Sequence, residues 1–259
     1  LSNGDGLDKV VAIILDKVNQ GEKIAVVVSA RGNATDELEE MLSIAAKNES
    51  YKPQLEQFKL EQQNGFDAVD FTEEFTVLEK LFEGVSLIGD YSSKIKDQIL
   101  SIGEVLSAKL LTAILLKNGV TARFADSREL IKTDSKFGDA QPIEQASKKN
   151  VIQYFKENED AVNIVTGFIA SNAKNVTTTL GRNGSNYTAS LIANYLNAEE
   201  LQNYTHVDGI YTANPDLVPD AKKIDYLTFN EANELANFGA TILHAKTIIP
   251  LLEKNIPLR

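Results

Sequence analysis

The run Thr177-Thr178-Thr179-Leu180-Gly181-Arg182-Asn183-Gly184-Ser185-Asn186-Tyr187 joins a threonine stretch to a glycine-rich turn that carries one arginine and opens a helix. Such a turn exposes backbone N–H groups at the positive end of a helix dipole, which suits a phosphate or a carboxylate. Arg182 adds a forked donor for the same anion. Ser185 is the N-cap candidate. Tyr187, Leu191 and Tyr195 form one helical stripe, with Ile192 and Leu196 beside it. On its own, a glycine-rich turn before a helix is more often a plain connection than an anion site.

Three further positions could do chemistry. Ile24 to Val28 is an apolar run that reads as a buried parallel strand. It ends in Ser29-Ala30-Arg31-Gly32-Asn33-Ala34-Thr35, a small polar loop whose Ser29 and Thr35 hydroxyls stand at a strand's carboxyl end, where open α/β sheets bind ligands. Gly103 to Lys117 reads as a helix with Leu106, Leu110 and Ile114 on one face. That places Glu104 in a first turn, where the dipole favours a carboxylate with or without a ligand. His206 and His244 lack a second histidine or carboxylate at metal-ligand spacing and read as structural, so no metal site is assigned.

These positions need elements to hold them. Leu7, Val10, Val11, Ile14, Leu15 and Val18 keep helical spacing, stopped at Asn19-Gln20-Gly21. From Asp36 to about Leu100 the pattern is helical and polar, broken at Asn64-Gly65, with Phe75, Leu78 and Phe82 as its buried stripe. Val120 to Ala125, Val162 to Phe168 and Asn203 to Asp208 read as strands, and Ile256 begins another. Glu129 to Lys149 reads as irregular, with room for a hairpin. Asn230 to Asn237 and Thr241 to Leu252 read as helices. Strands alternating with helices imply a mostly parallel sheet covered on both faces.

Composition sets limits. The 259 residues are 43% hydrophobic, enough for one large α/β domain or two small ones. Cysteine is absent, which excludes disulfides and thiolate metal sites and fits a cytoplasmic location. The formal charge of -11, without a Lys/Arg-rich block, argues against nucleic acid as partner. No run of about 18 apolar residues marks a membrane span. Positive groups are scarce, so an arginine beside a glycine-rich turn carries more weight.

Four segments together resemble the aspartokinases of the amino-acid kinase superfamily: Ile24–Thr35, Gly103–Leu111, Val165–Tyr195 and Tyr204–Leu243. The phrases that carry the likeness are Thr-Thr-Thr-Leu-Gly-Arg-Asn-Gly-Ser, Val-Asp-Gly-Ile-Tyr-Thr-Ala-Asn-Pro and Phe-Gly-Ala-Thr-Ile-Leu-His. The kinase half of bifunctional aspartokinase–homoserine dehydrogenases looks most similar. The resemblance implies an αβα sandwich around a mainly parallel sheet of about eight strands. It implies phosphoryl transfer from MgATP to the side-chain carboxylate of L-aspartate, the entry to lysine, threonine and methionine synthesis. It also implies a homo-oligomer in the full-length protein.

Residue by residue, the resemblance gives Ser29 and Thr35 a place near the substrate. It gives Glu104 the α-amino group, and Arg182 a substrate carboxylate, with Phe168 and Ser185 completing that wall. Arg182 and Asn186 are the catalytic candidates. Thr205, His206, Tyr211, Asp216 and Thr241 fall at the nucleotide site. Departures go with these matches. Asn186 stands where many members have Asp, His206 replaces a frequent Asp, Asp216 stands where some have Arg, and Thr241 where many have Lys. Lys222, Lys223 and Lys246 are the cations that could compensate. The family opens with a strand and Lys-Phe-Gly-Gly-Thr-Ser, which Leu1-Ser2-Asn3 would follow directly. The chain therefore reads as residues 1–259 of a kinase domain, lacking its first strand and any regulatory or dehydrogenase domain after Arg259. A non-catalytic amino-acid-binding or regulatory relative, and a kinase for another acceptor, are the alternatives left open.

Overall fold

Glycine, burial and helix capping explain most of the architecture around the candidate residues. The computed structural model describes residues 5–66, 68–205, 209–213, 217–218, 220–237 and 245–259. The chain divides into two compact units, residues 1–185 and 186–259.

The first unit begins with α1 (Asp5–Asn19), β1 (Ala25–Val28), α2 (Ala34–Ala46), α3 (Lys52–Gln63), α4 (Thr72–Ile88) and α5 (Ser93–Lys117). It continues with β2 (Ala122–Ala125), α6 (Ser127–Leu130), β3 (Lys132–Thr133), α7 (Glu144–Glu157), β4 (Val162–Thr166), β5 (Ile169–Asn172) and β6 (Thr177–Thr179). Strands β1, β4 and β2 form a parallel sheet in that order, with Ile164 in register with both Val26 and Phe124. A second sheet has the order β3-β5-β6, its β5–β6 pair antiparallel. This is the mixed α/β fold with a parallel sheet that the sequence implies, but among the described residues six strands divide between two sheets.

The division has a local cause. After β4 the chain reverses sharply at Phe168, whose φ is 65°, while the Ile169 N–H bonds the Gly167 carbonyl at 2.6 Å. This three-residue turn in the left-handed region is uncommon and strained. Side chains bridge where the ladder stops. The Ser127 N–H donates to Thr166 Oγ1 at 2.9 Å, and Ser127 Oγ donates to the Ile169 carbonyl at 2.6 Å.

Helix α5 is the axis of this unit. Ser92 caps it by accepting from the Ile95 N–H, and Asn118 with Gly119 (φ 80°) ends it. It begins ten residues before the position expected from sequence, because Gly103 lies within the helix and marks no boundary. Its buried residues go all the way round, from Asp97, Ile99 and Leu100 to Leu110, Leu111 and Leu115. That is the pattern of a core helix rather than of an amphipathic one. It is long and apolar enough to cross a bilayer, and 78% of its most apolar window is buried inside the fold. It packs against β2, β4 and β6, and against α2 and α4. Strand β1 is less buried than its valines suggest. Ala25 is exposed and Val26 and Val27 are half-buried, since β1 lies at an edge of its sheet among the described residues.

The second unit holds most of α8 (Gly184–Leu196), then α9 (Phe229–Asn237) and α10 (Ala245–Leu252). Ala193, Leu251 and Ile256 form its small apolar cluster. Asn194 Nδ2 donates to the Pro250 carbonyl at 2.7 Å. The strand expected from Asn203 is not formed at residues 203–205. The one expected at Ile256 reduces to a single parallel bridge, Leu201 with Leu258.

Candidate functional site

The polar loop after β1, the turn after β4, the middle of α5 and the Arg182 turn converge. The Gly167 N–H donates to the Val28 carbonyl at 2.7 Å, placing the Phe168 turn beside the end of β1. The Leu180 N–H donates to the Phe168 carbonyl at 2.9 Å, bringing in the segment that leads to Arg182. Two glycines let the backbones meet. A Cβ on Gly167 would fall 2.6 Å from Ser185 Cβ, and one on Gly184 would fall 2.6 Å from a ring carbon of Phe168. Ser29, Phe168, Arg182 and Ser185 are thus gathered in the first unit.

The turn itself is Leu180 to Gly184, with Gly181 at φ 77° and Asn183 at φ 56°. Arg182 is exposed at its apex. Helix α8 opens at Gly184, so Ser185 lies in its first turn and is not the residue that caps it. Thr35 likewise belongs to the first turn of α2 rather than to the loop, with Asn33 at the cap position. Ser29 remains in the loop and is exposed, while Thr35 is half-buried.

Glu104 differs most from expectation. It lies at the centre of α5, where the dipole of a helix end has no effect, and it is 3% exposed. One oxygen, Oε1, accepts the Ala30 N–H at 3.3 Å, and Oε2 has no hydrogen-bond partner among the described residues. Burial drives its carboxyl up to about 8, opposed only in part by the Ala30 N–H. A buried carboxylate with one oxygen unpartnered, and no salt bridge to a cation among the described residues, suits a ligand that brings an ammonium group.

Gly103 makes this arrangement possible. A Cβ there would lie 2.9 Å from Ala30 Cβ, so only glycine lets α5 come this close to the loop. Gly103→Ala is expected to lower stability by about 1–3 kcal/mol through overpacking and to raise the Michaelis constant of any ligand held at Glu104. Thermal melts and steady-state kinetics together check both.

Two buried groups here escaped the sequence reading. Arg31, 5% exposed, donates through Nη2 to the Glu61 and Gln62 carbonyls at 2.7 and 2.8 Å and lies over the Phe66 ring. It ties the β1 loop to the C-terminal end of α3, where a cation meets the negative end of the dipole. Asp97, 1% exposed, sits two turns before Glu104 on α5. The partners of both are distant in sequence; the one available signal was the seven-residue spacing of Asp97 and Glu104.

In the second unit, Asn186 is half-buried in α8, and its carbonyl accepts from Ser190 Oγ at 3.0 Å. Thr205 is exposed. Tyr211 pairs with Lys223 across an antiparallel bridge, flanked by Thr212 N–H to Lys222 carbonyl at 2.9 Å. Lys222 and Lys223 are exposed, and Lys246 Nζ lies 6.0 Å from the Tyr187 ring centroid. His206, Asp216, Thr241 and His244 lie outside the described residues. Among the described residues, no group of three His, Cys, Asp or Glu side chains comes together as a metal site.

The sequence matches the amino acid kinase family over residues 1–259. The chain belongs to the amino acid kinase family. It is 38% identical over 186 residues to lysine-sensitive aspartokinase 3 of Escherichia coli K12, covering 70% of this chain and 41% of that protein. It is 30% identical over 271 residues to the chloroplastic bifunctional aspartokinase/homoserine dehydrogenase 2 of Arabidopsis thaliana, covering 100% of this chain and 29% of the relative. Monofunctional and bifunctional aspartokinases are therefore both among the relatives of this amino acid kinase. The matched stretches cover less than half the length of either relative. Among solved structures, E. coli aspartokinase III in complex with aspartate and ADP (R-state) superposes with a TM-score of 0.87 at 31% identity, over 98% of this chain and 57% of that one. The same enzyme with lysine and aspartate (T-state) gives a TM-score of 0.83 at 29% identity, over 100% of this chain and 60% of that one.

Proposed function

We propose that this amino acid kinase transfers the γ-phosphoryl group of ATP to the side-chain carboxylate of L-aspartate, giving 4-phospho-L-aspartate and ADP. The observation that carries the reading is Glu104, a buried carboxylate beside the β1 loop with one oxygen unpartnered among the described residues. With Arg182 it would offer an ammonium-binding group and a carboxylate-binding group to one small zwitterion. The likeness to an aspartokinase complex with aspartate and ADP supports that choice of ligands.

The chemistry asks for position and charge neutralisation. A carboxylate oxygen of aspartate attacks the γ-phosphorus, the bond to the bridging oxygen breaks, and ADP leaves. The acceptor is already ionised at neutral pH, so no general base is needed. Glu104 would hold the α-amino group, and Arg182 a carboxylate. Ser29, Thr35, Phe168 and Ser185 would line the same wall, and Asn186 is the second catalytic candidate. Thr205 and Tyr211, with His206, Asp216 and Thr241, would serve the nucleotide. Mg²⁺ would enter with ATP, held mainly by phosphate oxygens and water, which is how this ion is usually bound at nucleotide sites.

The test is ADP release from MgATP by the intact protein, with and without L-aspartate. Aspartate-dependent release supports the reading. Binding of aspartate without release would move the chain to the non-catalytic alternative, and faster turnover of N-acetylglutamate would move it to another acceptor. Replacing Lys222, Lys223 and Lys246 singly by Ala reads their part in ATP affinity; three unchanged affinities would remove them from the nucleotide site.

A further inference from the structure

Asp97 is buried, yet its hydrogen-bond partners are neutral and none is local. Its Oδ2 accepts the Gly138 N–H at 3.0 Å and the Thr179 N–H at 3.0 Å, and its Oδ1 accepts from Thr179 Oγ1 at 2.9 Å. These bonds join α5 to two separate stretches of chain. Thr179 is the last residue of β6, three positions before Arg182. Gly138 lies under the other side of the same turn: a Cβ on Gly181 would fall 3.3 Å from the Gly138 carbonyl oxygen and 2.8 Å from Asp139 Oδ1. The Ala140 N–H, bonded to the Thr179 carbonyl at 2.8 Å, closes the loop between them. Two supports of the Arg182 turn therefore hang from one carboxylate.

The position of that carboxylate on α5 gives the contact its meaning. Asp97 and Glu104 are seven residues apart, two turns, so they share a face and stand about 10 Å apart along the axis. One rigid, buried helix thus carries the vacant carboxylate at one point and the anchor of the Arg182 turn at another. We infer that Asp97 is a positioning residue: it fixes the Arg182 turn relative to Glu104, so that the two ends of one amino-acid substrate are met at a set separation. The inference rests on the proposed reading of Arg182 and Glu104 as substrate groups.

The hydrogen bonds dictate which substitutions matter. Asp97→Asn keeps an oxygen at the Oδ2 position for both backbone N–H groups, and its amide meets the Thr179 hydroxyl, which turns to accept. Asp97→Ala removes all three bonds, leaves the buried Thr179 N–H without its carboxylate and frees the Gly138 N–H to solvent. Steady-state kinetics on the intact protein should show Asp97→Ala raising the Michaelis constant for aspartate by about 10- to 100-fold, with that for ATP little changed. Asp97→Asn should restore most of the loss. In an Arg182→Ala background, Asp97→Ala should add little, because the anchored group is already gone. Thr179→Val, which loses only the hydroxyl bond, is the milder variant and should raise the aspartate constant by about fivefold. Hydrogen exchange at the Thr179 and Gly138 amides should quicken in Asp97→Ala and not in Asp97→Asn.

A lowered melting temperature with an unchanged aspartate constant would make Asp97 a structural staple only and overturn the inference. Equal effects of Asp97→Ala in both backgrounds would also overturn it. If Arg182→Ala leaves the aspartate constant unchanged, the substrate reading of Arg182 fails instead. The exchange measurement then decides on its own whether Asp97 holds the turn.

Discussion

Glu104→Gln should make the ligand-free protein more stable at pH 8 while removing most of its affinity for aspartate. The two effects share one cause. In the folded chain the carboxyl is buried, with Oε2 unpartnered among the described residues, and burial drives it up to about 8 from an ordinary 4.5. Below pH 4.5 both the folded and unfolded chains hold the proton, and the group costs nothing. Between 4.5 and 8 the folded chain keeps a proton that the unfolded chain has lost. Folding stability therefore falls as pH rises through this window, and the loss is complete above the folded value. A shift of that size corresponds to a loss on the order of 3–5 kcal/mol. Glutamine, with the same shape and no charge, escapes it. Melting curves of both proteins between pH 5 and 9 check this: they should converge at acid pH and separate toward pH 8. A constant offset at all pH values would contradict the argument.

The same carboxyl ties binding to proton release. An ammonium group beside Oε2 stabilises the ionised form and returns the carboxyl to its ordinary range. At pH 7 a group at about 8 is mostly protonated, so aspartate binding should expel close to one proton, about 0.9. Calorimetry in buffers of different ionisation enthalpy measures that number. Glu104→Gln should release none and should bind aspartate about 10²- to 10³-fold more weakly, as expected when one partner of a desolvated charge pair is removed.

How far the sequence could be read follows from how local each signal is. The Arg182 turn was legible because glycine positions, a lone arginine and a helical stripe lie within twenty residues. The β1 loop was legible because a valine run stops abruptly at small polar residues. The start of α5 was not, because Gly103 has the look of a boundary. Its reason is a close approach to Ala30, seventy-three positions away, which sequence alone cannot display. The break between the two sheets was missed for a similar reason. A reversal at Phe168 has no residue signature, since the positive φ belongs to a phenylalanine and not to a glycine. Arg31 and Asp97 were invisible as partners because their bonds reach across 30 to 82 positions.

Arg182→Ala should behave as the converse of Glu104→Gln: stability unchanged, transfer nearly lost. Arg182 is exposed at the apex of its turn, so its charge is hydrated before a ligand arrives. Surface substitutions of that kind move stability by about 0.5 kcal/mol or less. Once a carboxylate is bound and water is displaced, the guanidinium becomes a paired donor in a drier site, and its removal should lower kcat/KM for aspartate about 10²- to 10³-fold. Arg182→Lys should recover only part of this, because an ammonium lacks the planar fork that meets both carboxylate oxygens. Kinetics with each substrate varied in turn identify which anion the turn holds. A rise in the aspartate constant assigns the turn to the amino acid. A rise confined to the ATP constant would give it to the nucleotide phosphates, which a glycine-rich turn at a helix N-terminus could equally receive.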